Sequence, residues 1–211
     1  MKKVNVLVLL MAMSVTASFA ADKVIKLLKP NTHRSITFMK ALSDRKSTRE
    51  YAVKEISIAD LSDVLWAANG VNRSDGKRTA PSAMDRKDVD VYVILPIGAY
   101  LYDAKEHKLD LVAEGDYRAA VAGGQDFVKS APLSLVLVTD LSRLGDAKNL
   151  RIQQMGAVDV GIVSQNIALF CAAANLATVP RATMDTDQLK RVLNLKETQL
   201  PLINHPIGHF K

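Results

Sequence analysis

The chain has 211 residues, 48% apolar and 24% charged, enough for one sizeable core and too few for several large domains. Its formal charge of +6 falls to +4 without Lys2 and Lys3, a modest excess that suits an anionic small ligand; aromatic residues make up only 5% and do not interleave with basic ones, which argues against nucleic-acid binding. Cys171 is the single cysteine, so an intramolecular disulfide is excluded. Met1-Lys2-Lys3 is a short basic start, Val4 to Val15 is nearly unbroken apolar sequence, and Ser18-Phe19-Ala20 places small residues where a signal peptidase reads. This pattern predicts a signal peptide over residues 1–20, a single domain over 21–211, and a periplasmic or secreted location. An uncleaved anchor is less favoured, because the apolar stretch falls short of the ~20 residues of a spanning helix.

An extended arm, Val24-Ile25-Leu27-Leu28, should end at the Pro30-Asn31 turn. Ser35 is a candidate cap for a short helix reaching Ser43. Ser57-Ile58-Ala59-Asp60 resembles a capping box, and Ile58, Leu61, Val64, Leu65 and Ala68 recur behind it at helical spacing until Asn69-Gly70. After a polar loop over 72–80 and Pro81-Ser82-Ala83-Met84, the alternation of Val89, Val91, Val93 and Leu95 predicts a strand. Two further short strands follow, around Ala99 to Tyr102 and Leu109 to Leu111, then a helix over about Asp116 to Val128. Leu133 to Val138 reads as a buried strand. Asn149 to Asn175 is the longest helical stretch, with Met155, Val158, Ile162, Ile167, Phe170 and Ala174 expected inward. Asp159, Gln165 and Asn166 within it mark a core or interface helix rather than a membrane span. A short helix over Asp187 to Leu193 and a strand over Leu202 to Gly208 complete an α+β or α/β domain without repeats or linkers.

Arg45-Lys46-Ser47-Thr48-Arg49 gathers three cations and two hydroxyls in five residues. A phosphate dianion is held by such a set, because guanidinium groups donate paired charge-assisted bonds while hydroxyls and backbone N–H groups fill the remaining lone pairs. Composition alone favours a solvated basic turn, and spacing alone does not decide between the two. The four histidines, His33, His107, His205 and His209, form no metal-ligand pattern, and no metal is expected. Cys171, among apolar neighbours, is expected to be buried and inert, and no Ser-His or Cys-His nucleophile pair is expected.

The order of the motifs resembles the nitroreductase superfamily. The resemblance runs from Arg45-x-Ser47-x-Arg49 and Tyr51 through Leu65-Trp66-Ala67-Ala68-Asn69-Gly70 and Arg78-Thr79-Ala80-Pro81-Ser82-Ala83. It resumes at Ala131-Pro132 with the following strand, continues through Asp159-Val160-Gly161, Gln165-Asn166 and Ala174-Asn175-Leu176, and ends at Pro206-Ile207-Gly208-His209. It spans about Leu28 to Lys211 and looks nearest to a short branch that includes azoline-oxidising dehydrogenases.

The resemblance implies an α+β fold, a mixed sheet flanked by helices, and a homodimer with the long helix at the interface. It implies FMN as cofactor. Arg45, Ser47 and Arg49 would grip the flavin phosphate with Lys46 at the edge, and Pro81, Ser82, Ala83 and Met84 would pack on the flavin across the interface. Asn166 would touch either flavin or the opposite protomer. Arg181 would approach the ring's pyrimidine side, with capping of the preceding long helix's C-terminus as its alternative role. Gly208 and Lys211 fall where relatives place phosphate contacts, and Asp85 should point away from the ring. Hydride chemistry would belong to the flavin, with no catalytic side chain expected. The implied activity is hydride transfer between a reductant or small organic substrate and an acceptor. The donor is left open, NAD(P)H among the candidates, and a non-catalytic flavin-binding or flavin-delivery protein is the alternative. No nucleic-acid partner and, after signal cleavage, no membrane partner is expected.

Overall fold

The computed structural model describes residues 21–211. The predicted signal peptide at 1–20 lies outside these described residues. Seven strands form one sheet in the order β1-β4-β3-β2-β5-β7-β6. They are β1 (Val24–Lys26), β2 (Val89–Leu95), β3 (Gly98–Asp103), β4 (Lys108–Glu114), β5 (Leu133–Asp140), β6 (Leu176–Thr178) and β7 (Gln199–His209). Every ladder between them is antiparallel, so the mixture is of helix and sheet layers rather than of strand directions.

β2 and β5 are central and apolar on both faces because both faces are covered. Val89, Val91 and Val93 of β2 and Leu133, Leu135 and Leu137 of β5 face α2 (Ile58–Asn69) and α4 (Leu150–Ala173). Tyr92, Ile94, Val136 and Val138 face the other way, onto α3 (Arg118–Ala122) and α5 (Thr186–Val192). The result is helix, sheet and helix in three layers. A fifth helix outside the sheet, α1 (Phe38–Asp44), packs on α4.

Local chemistry explains where most elements begin. Ser57 caps α2 as expected, its Oγ accepting the Asp60 N–H at 3.0 Å, and Gly70 closes the helix. The cap of α1 is Thr37 and not Ser35; Thr37 Oγ1 takes the Lys40 N–H. The helix expected over 116–128 breaks after one turn. Gly123 (φ 54°) and Gly124 (φ 88°) take left-handed backbone, and Asp126–Ser130 resumes only as a 3₁₀ turn.

The inward face of α4 keeps Ile167 and, partly buried, Ile162, Phe170 and Ala174, but differs from the sequence expectation in its remaining residues. Gly156, Asp159, Val160, Val163, Ser164, Ile167, Ala168 and Cys171 point into the domain, whereas Val158 is 62% exposed. Small residues go inward because the helix lies close on β5: a Cβ at Gly156 would stand 2.5 Å from Thr139 Oγ1 and 2.9 Å from Leu141 Cδ2. The helix is long and apolar enough to cross a membrane by length and composition, yet its inward face is packed on the sheet.

Candidate functional site

The basic segment 45–49 leaves α1 and runs along the β6 end of the sheet. Its backbone is tied down: Thr48 N–H donates to the Thr178 carbonyl at 2.9 Å, and Ala52 N–H donates to the His209 carbonyl at 3.0 Å. Tyr51 fixes the segment from below, its buried hydroxyl donating to the Thr48 carbonyl at 3.1 Å. Burial raises the Tyr51 phenol well above its ordinary value, opposed by the positive charges of Arg181 and Arg49. The phenol therefore stays protonated, as a donor must.

The side chains are held differently from the backbone. Arg45, Lys46, Ser47 and Arg49 are exposed, and among the described residues none of the three cations stands in an ion pair. Lys46 Nζ lies 5.1 Å from the Phe210 ring centre. A cavity of about 620 Å³ opens beside Lys46 between α1, the end of α4 and β6, with Asn175, Thr178 and Phe210 on its wall. That volume falls in the range of small-molecule sites.

Gly208 enters the site indirectly. A Cβ there would meet the Tyr51 ring at 2.9 Å and the Pro132 ring at 3.0 Å, so glycine lets Tyr51 lie flat on β7 and hold the basic segment. Lys211, expected among the phosphate contacts, is exposed at the chain's end.

Arg181 is 8% exposed, and its guanidinium turns inward. Nη1 donates to the Val121 carbonyl at 3.1 Å and to Asn204 Oδ1 at 2.8 Å; Nη2 donates to the Ala122 carbonyl at 2.9 Å; Nε donates to Gln125 Oε1 at 3.1 Å. The helix it caps is α3, whose last carbonyls would otherwise be buried without donors. The capped helix is α3 and not the preceding α4 of the sequence expectation, and only the charge of Arg181 reaches towards Arg49 and Tyr51.

Pro81, Ser82, Ala83 and Met84 form a strained loop before β2. Met84, Asp85 and Lys87 all adopt left-handed backbone (φ 53°, 53° and 52°), which costs a non-glycine residue about 1–2 kcal/mol each. Ser82 Oγ accepts the Lys87 N–H at 2.8 Å, and Asp159 Oδ2 on α4 accepts the Ala83 N–H at 2.7 Å. Met84 is 60% exposed, and the Asp85 carboxylate lies outward beside Lys87 Nζ at 3.4 Å. Asn166 Nδ2 donates to the Ala68 carbonyl at 3.4 Å and lines an open depression with Phe38, Trp66 and Phe170.

Sequence reasoning did not find two buried polar groups. Asp88 sits next to Asp159, and Thr139 Oγ1 donates to its Oδ2 at 2.7 Å. His205 joins α4 to the sheet: Ser164 Oγ lies 2.8 Å from Nε2, and Thr178 Oγ1 lies 3.3 Å from Nδ1. Because Thr178 gives its hydroxyl proton to the Pro206 carbonyl, Nδ1 must carry the ring proton and Nε2 accepts from Ser164. A Ser-His pair therefore exists, against expectation. Complete burial pushes the His205 pKa down to about 3, so it is a neutral bridge inside the core. Cys171 is buried and its thiol is pushed far above the ordinary range by desolvation, as expected of an inert residue. No group of three or more potential metal ligands occurs among the described residues.

The fold and the motif order place the chain in a family. The nitroreductase family model matches residues 42–209, and the chain belongs to that family. It is a nitroreductase-family oxidoreductase. The crystal structure of a Ralstonia eutropha nitroreductase superposes with a TM-score of 0.84 at 38% identity, covering 90% of each chain. A Methanocaldococcus jannaschii protein named as a nitroreductase is 28% identical over 176 residues, 79% of this chain and 88% of the relative. A Bacillus subtilis protein named FMN reductase (NAD(P)H) is 24% identical over 185 residues, 81% of this chain and 65% of the relative.

Proposed function

We propose that the mature chain is an exported, FMN-dependent oxidoreductase that works as a homodimer. The observation that carries this reading is the contrast at 45–49: a backbone pinned to the sheet and to Tyr51, bearing cationic side chains that have no ion-pair partner among the described residues, beside a cavity. A terminal phosphate suits such a cradle, because fixed donors lose little entropy on binding. Arg45, Ser47 and Arg49 would hold the FMN phosphate, with Lys46 at the cavity wall. When bound, FMN supplies the hydride chemistry within its own ring, so no catalytic acid or base is required of the protein. Arg181 would contribute charge near the site rather than a hydrogen bond.

The dimer is supported by the outer face of α4. Ala157, Val158, Gly161 and Gln165 are exposed there, and a Cβ at Gly161 would meet nothing within 4 Å. Glycine inside an exposed helix costs about 1 kcal/mol and is explained if a second helix comes close. Phe38 (66% exposed), Met39 (71% exposed) and Met84 extend this apolar surface, and the Pro81–Met84 loop and Asn166 would serve the partner's flavin.

Export rests on the pattern over 1–20, and Ala21, the first residue after the expected cleavage point, packs in the core. Nicotinamide nucleotides are not expected at useful levels outside the cytoplasm, so the physiological donor is left unspecified, NAD(P)H remaining a candidate from the relative's name. The azoline-oxidising branch rests on motif spacing alone. The visible absorption spectrum of the purified mature protein tests the central reading. A flavin spectrum that an added reductant bleaches supports it; no flavin absorbance after incubation with FMN overturns it.

A further inference from the structure

The strained loop at 81–87 is anchored at a pair of buried acids. Asp159 Oδ2 accepts the Ala83 N–H at 2.7 Å, and the neighbouring Asp88 immediately precedes β2, the strand into which the loop runs. Asp88 is fully buried and Asp159 is 4% exposed, and the two carboxyls lie within hydrogen-bonding reach of each other. Asp88 Oδ2 has its donor in Thr139, but Asp88 Oδ1 is buried without any donor among the described residues. A buried carboxylate oxygen left in that state is costly, and a second carboxylate beside it raises the cost further.

The surrounding cations act on it only at a distance, Arg143 being the one whose charge reaches Asp88. Arg143 Nη1 and Nη2 clamp Asp90 at 2.9 and 2.7 Å, Nη1 also donates to the Lys87 carbonyl, and Nε leans towards Asp140 at 3.4 Å. Arg78 donates to the Val89 carbonyl, and the half-buried Lys87 pairs with Asp85 on the loop itself. On α4, Arg151 shares with Asp159 the wall of a cavity of about 210 Å³. None of these cations forms an ion pair with Asp88 or Asp159 among the described residues.

We propose that Asp88 and Asp159 hold one proton between them, and that this shared proton positions the 81–87 loop by completing the network that ends on the Ala83 N–H. The proton supplies the donor that Asp88 Oδ1 lacks and removes one of two adjacent buried charges. Burial, with Asp159 adjacent, raises the Asp88 pKa to about 6, against the lowering effect of the Thr139 bond. The pair is therefore singly protonated in mildly acidic solution and doubly charged above neutrality. Proton loss to water leaves two repelling carboxylates beneath a loop that already stores backbone strain, and the loop loosens. Both acids are positioning residues. The consequence for flavin rests on the reading under which this loop faces the partner's FMN: the flavin face would be best formed at mildly acidic pH.

The test uses the flavin-free protein with ¹³C-labelled aspartate, following the carboxyl signals and the hydrogen exchange of the Ala83 and Met84 amides from about pH 4 to about pH 8. One carboxyl of the pair should titrate near 6, and Ala83 protection, corrected for intrinsic exchange, should fall at least roughly tenfold across that step. Asp159→Asn keeps the shape, an acceptor for Ala83 and a donor for Asp88 Oδ1. It should make protection independent of pH and return Asp88 towards the ordinary carboxylate range. Asp88→Asn should likewise flatten the profile. Two carboxyls titrating in the ordinary range, or an Asp159→Asn protein with an unchanged pH profile, would overturn the proposal. FMN titrations at the two ends of the range read the flavin arm separately: failure to bind at either pH removes the flavin reading, while the carboxyl signals still decide the shared proton.

Discussion

Thr48 donates its backbone N–H to the Thr178 carbonyl at 2.9 Å, hanging the basic segment on the strand that also lines the adjacent cavity. The cationic side chains are thereby displayed from a rigid edge. Arg45→Ala with Arg49→Ala should remove charge-assisted bonds worth about 1.5–3 kcal/mol each while leaving the fold intact. FMN affinity, read by quenching of flavin fluorescence, should fall at least roughly a hundredfold, since each 1.4 kcal/mol is a factor of ten. Unchanged affinity in a protein with native circular dichroism would remove both arginines from the phosphate site.

Gly208 and Tyr51 make a related prediction through packing alone. In Gly208→Ala the added methyl has no room against the Tyr51 and Pro132 rings, 2.9 and 3.0 Å away. Overpacking of this kind costs about 1–3 kcal/mol. Urea denaturation should show that loss, and FMN affinity should weaken with it because Tyr51 carries the Thr48 carbonyl. A variant with normal stability and affinity would show that Tyr51 moves aside freely.

Arg181 tests whether a buried arginine serves the fold or the ligand. Arg181→Met should strand the Val121 and Ala122 carbonyls and Asn204 Oδ1, each an acceptor whose loss of a donor costs about 1–3 kcal/mol. Arg181→Lys should recover little, because one ammonium cannot reproduce a planar fork reaching four acceptors. Thermal melts should drop strongly for both variants, with flavin affinity at a temperature where they remain folded falling far less. The reverse ranking would assign the side chain to the cofactor.

The outer face of α4 carries the dimer prediction. Gly161→Leu places a large side chain where close helix approach is expected, and sedimentation velocity should show a shift to monomer. Because Gly161 faces open space within the subunit, the variant's stability should not suffer from internal clashes. A dimer that persists would move the interface elsewhere.

What could be read from the sequence was local. Ser57 and Asp60 start α2 through a bond three residues long, and the apolar runs of β2 and β5 are short enough to declare themselves. The basic cluster was visible for the same reason, being five adjacent residues. The inward face of α4 was legible only in part, because the helix is apolar nearly all round and periodicity alone cannot fix its face. Its choice depends on Gly156 clearing Thr139, and on Asp159 and Ser164 finding Ala83 and His205, partners 76 and 41 residues away. The inward turn of Arg181 likewise depends on the carbonyls of α3, about 60 residues earlier, which only the break at Gly123-Gly124 exposes. Long-range polar pairing leaves no periodic trace.

His205 and Asp88 set the pH dependence of stability in opposite directions. The His205 pKa is pushed from 6.5 down to about 3, so the unfolded chain binds the extra proton. Its contribution is complete above pH 6.5 and is lost as pH falls towards 3, at most roughly 4–5 kcal/mol. The Asp88 pKa is pushed from 3.8 up to about 6, so the folded chain binds the extra proton, and stability is lost as pH rises from 3.8 through 6, at most roughly 3 kcal/mol. The histidine effect is the larger, so these two groups together should make the protein less stable in acid than at neutrality. His205→Gln, which keeps a donor and an acceptor without an ionisable ring, should flatten the acid limb in urea denaturation measured across pH. With the histidine effect removed, the Asp88 effect should emerge, and the variant should gain stability on going from neutral to mildly acidic solution. An acid limb as steep in His205→Gln as in the parent protein would place the acid sensitivity in other groups.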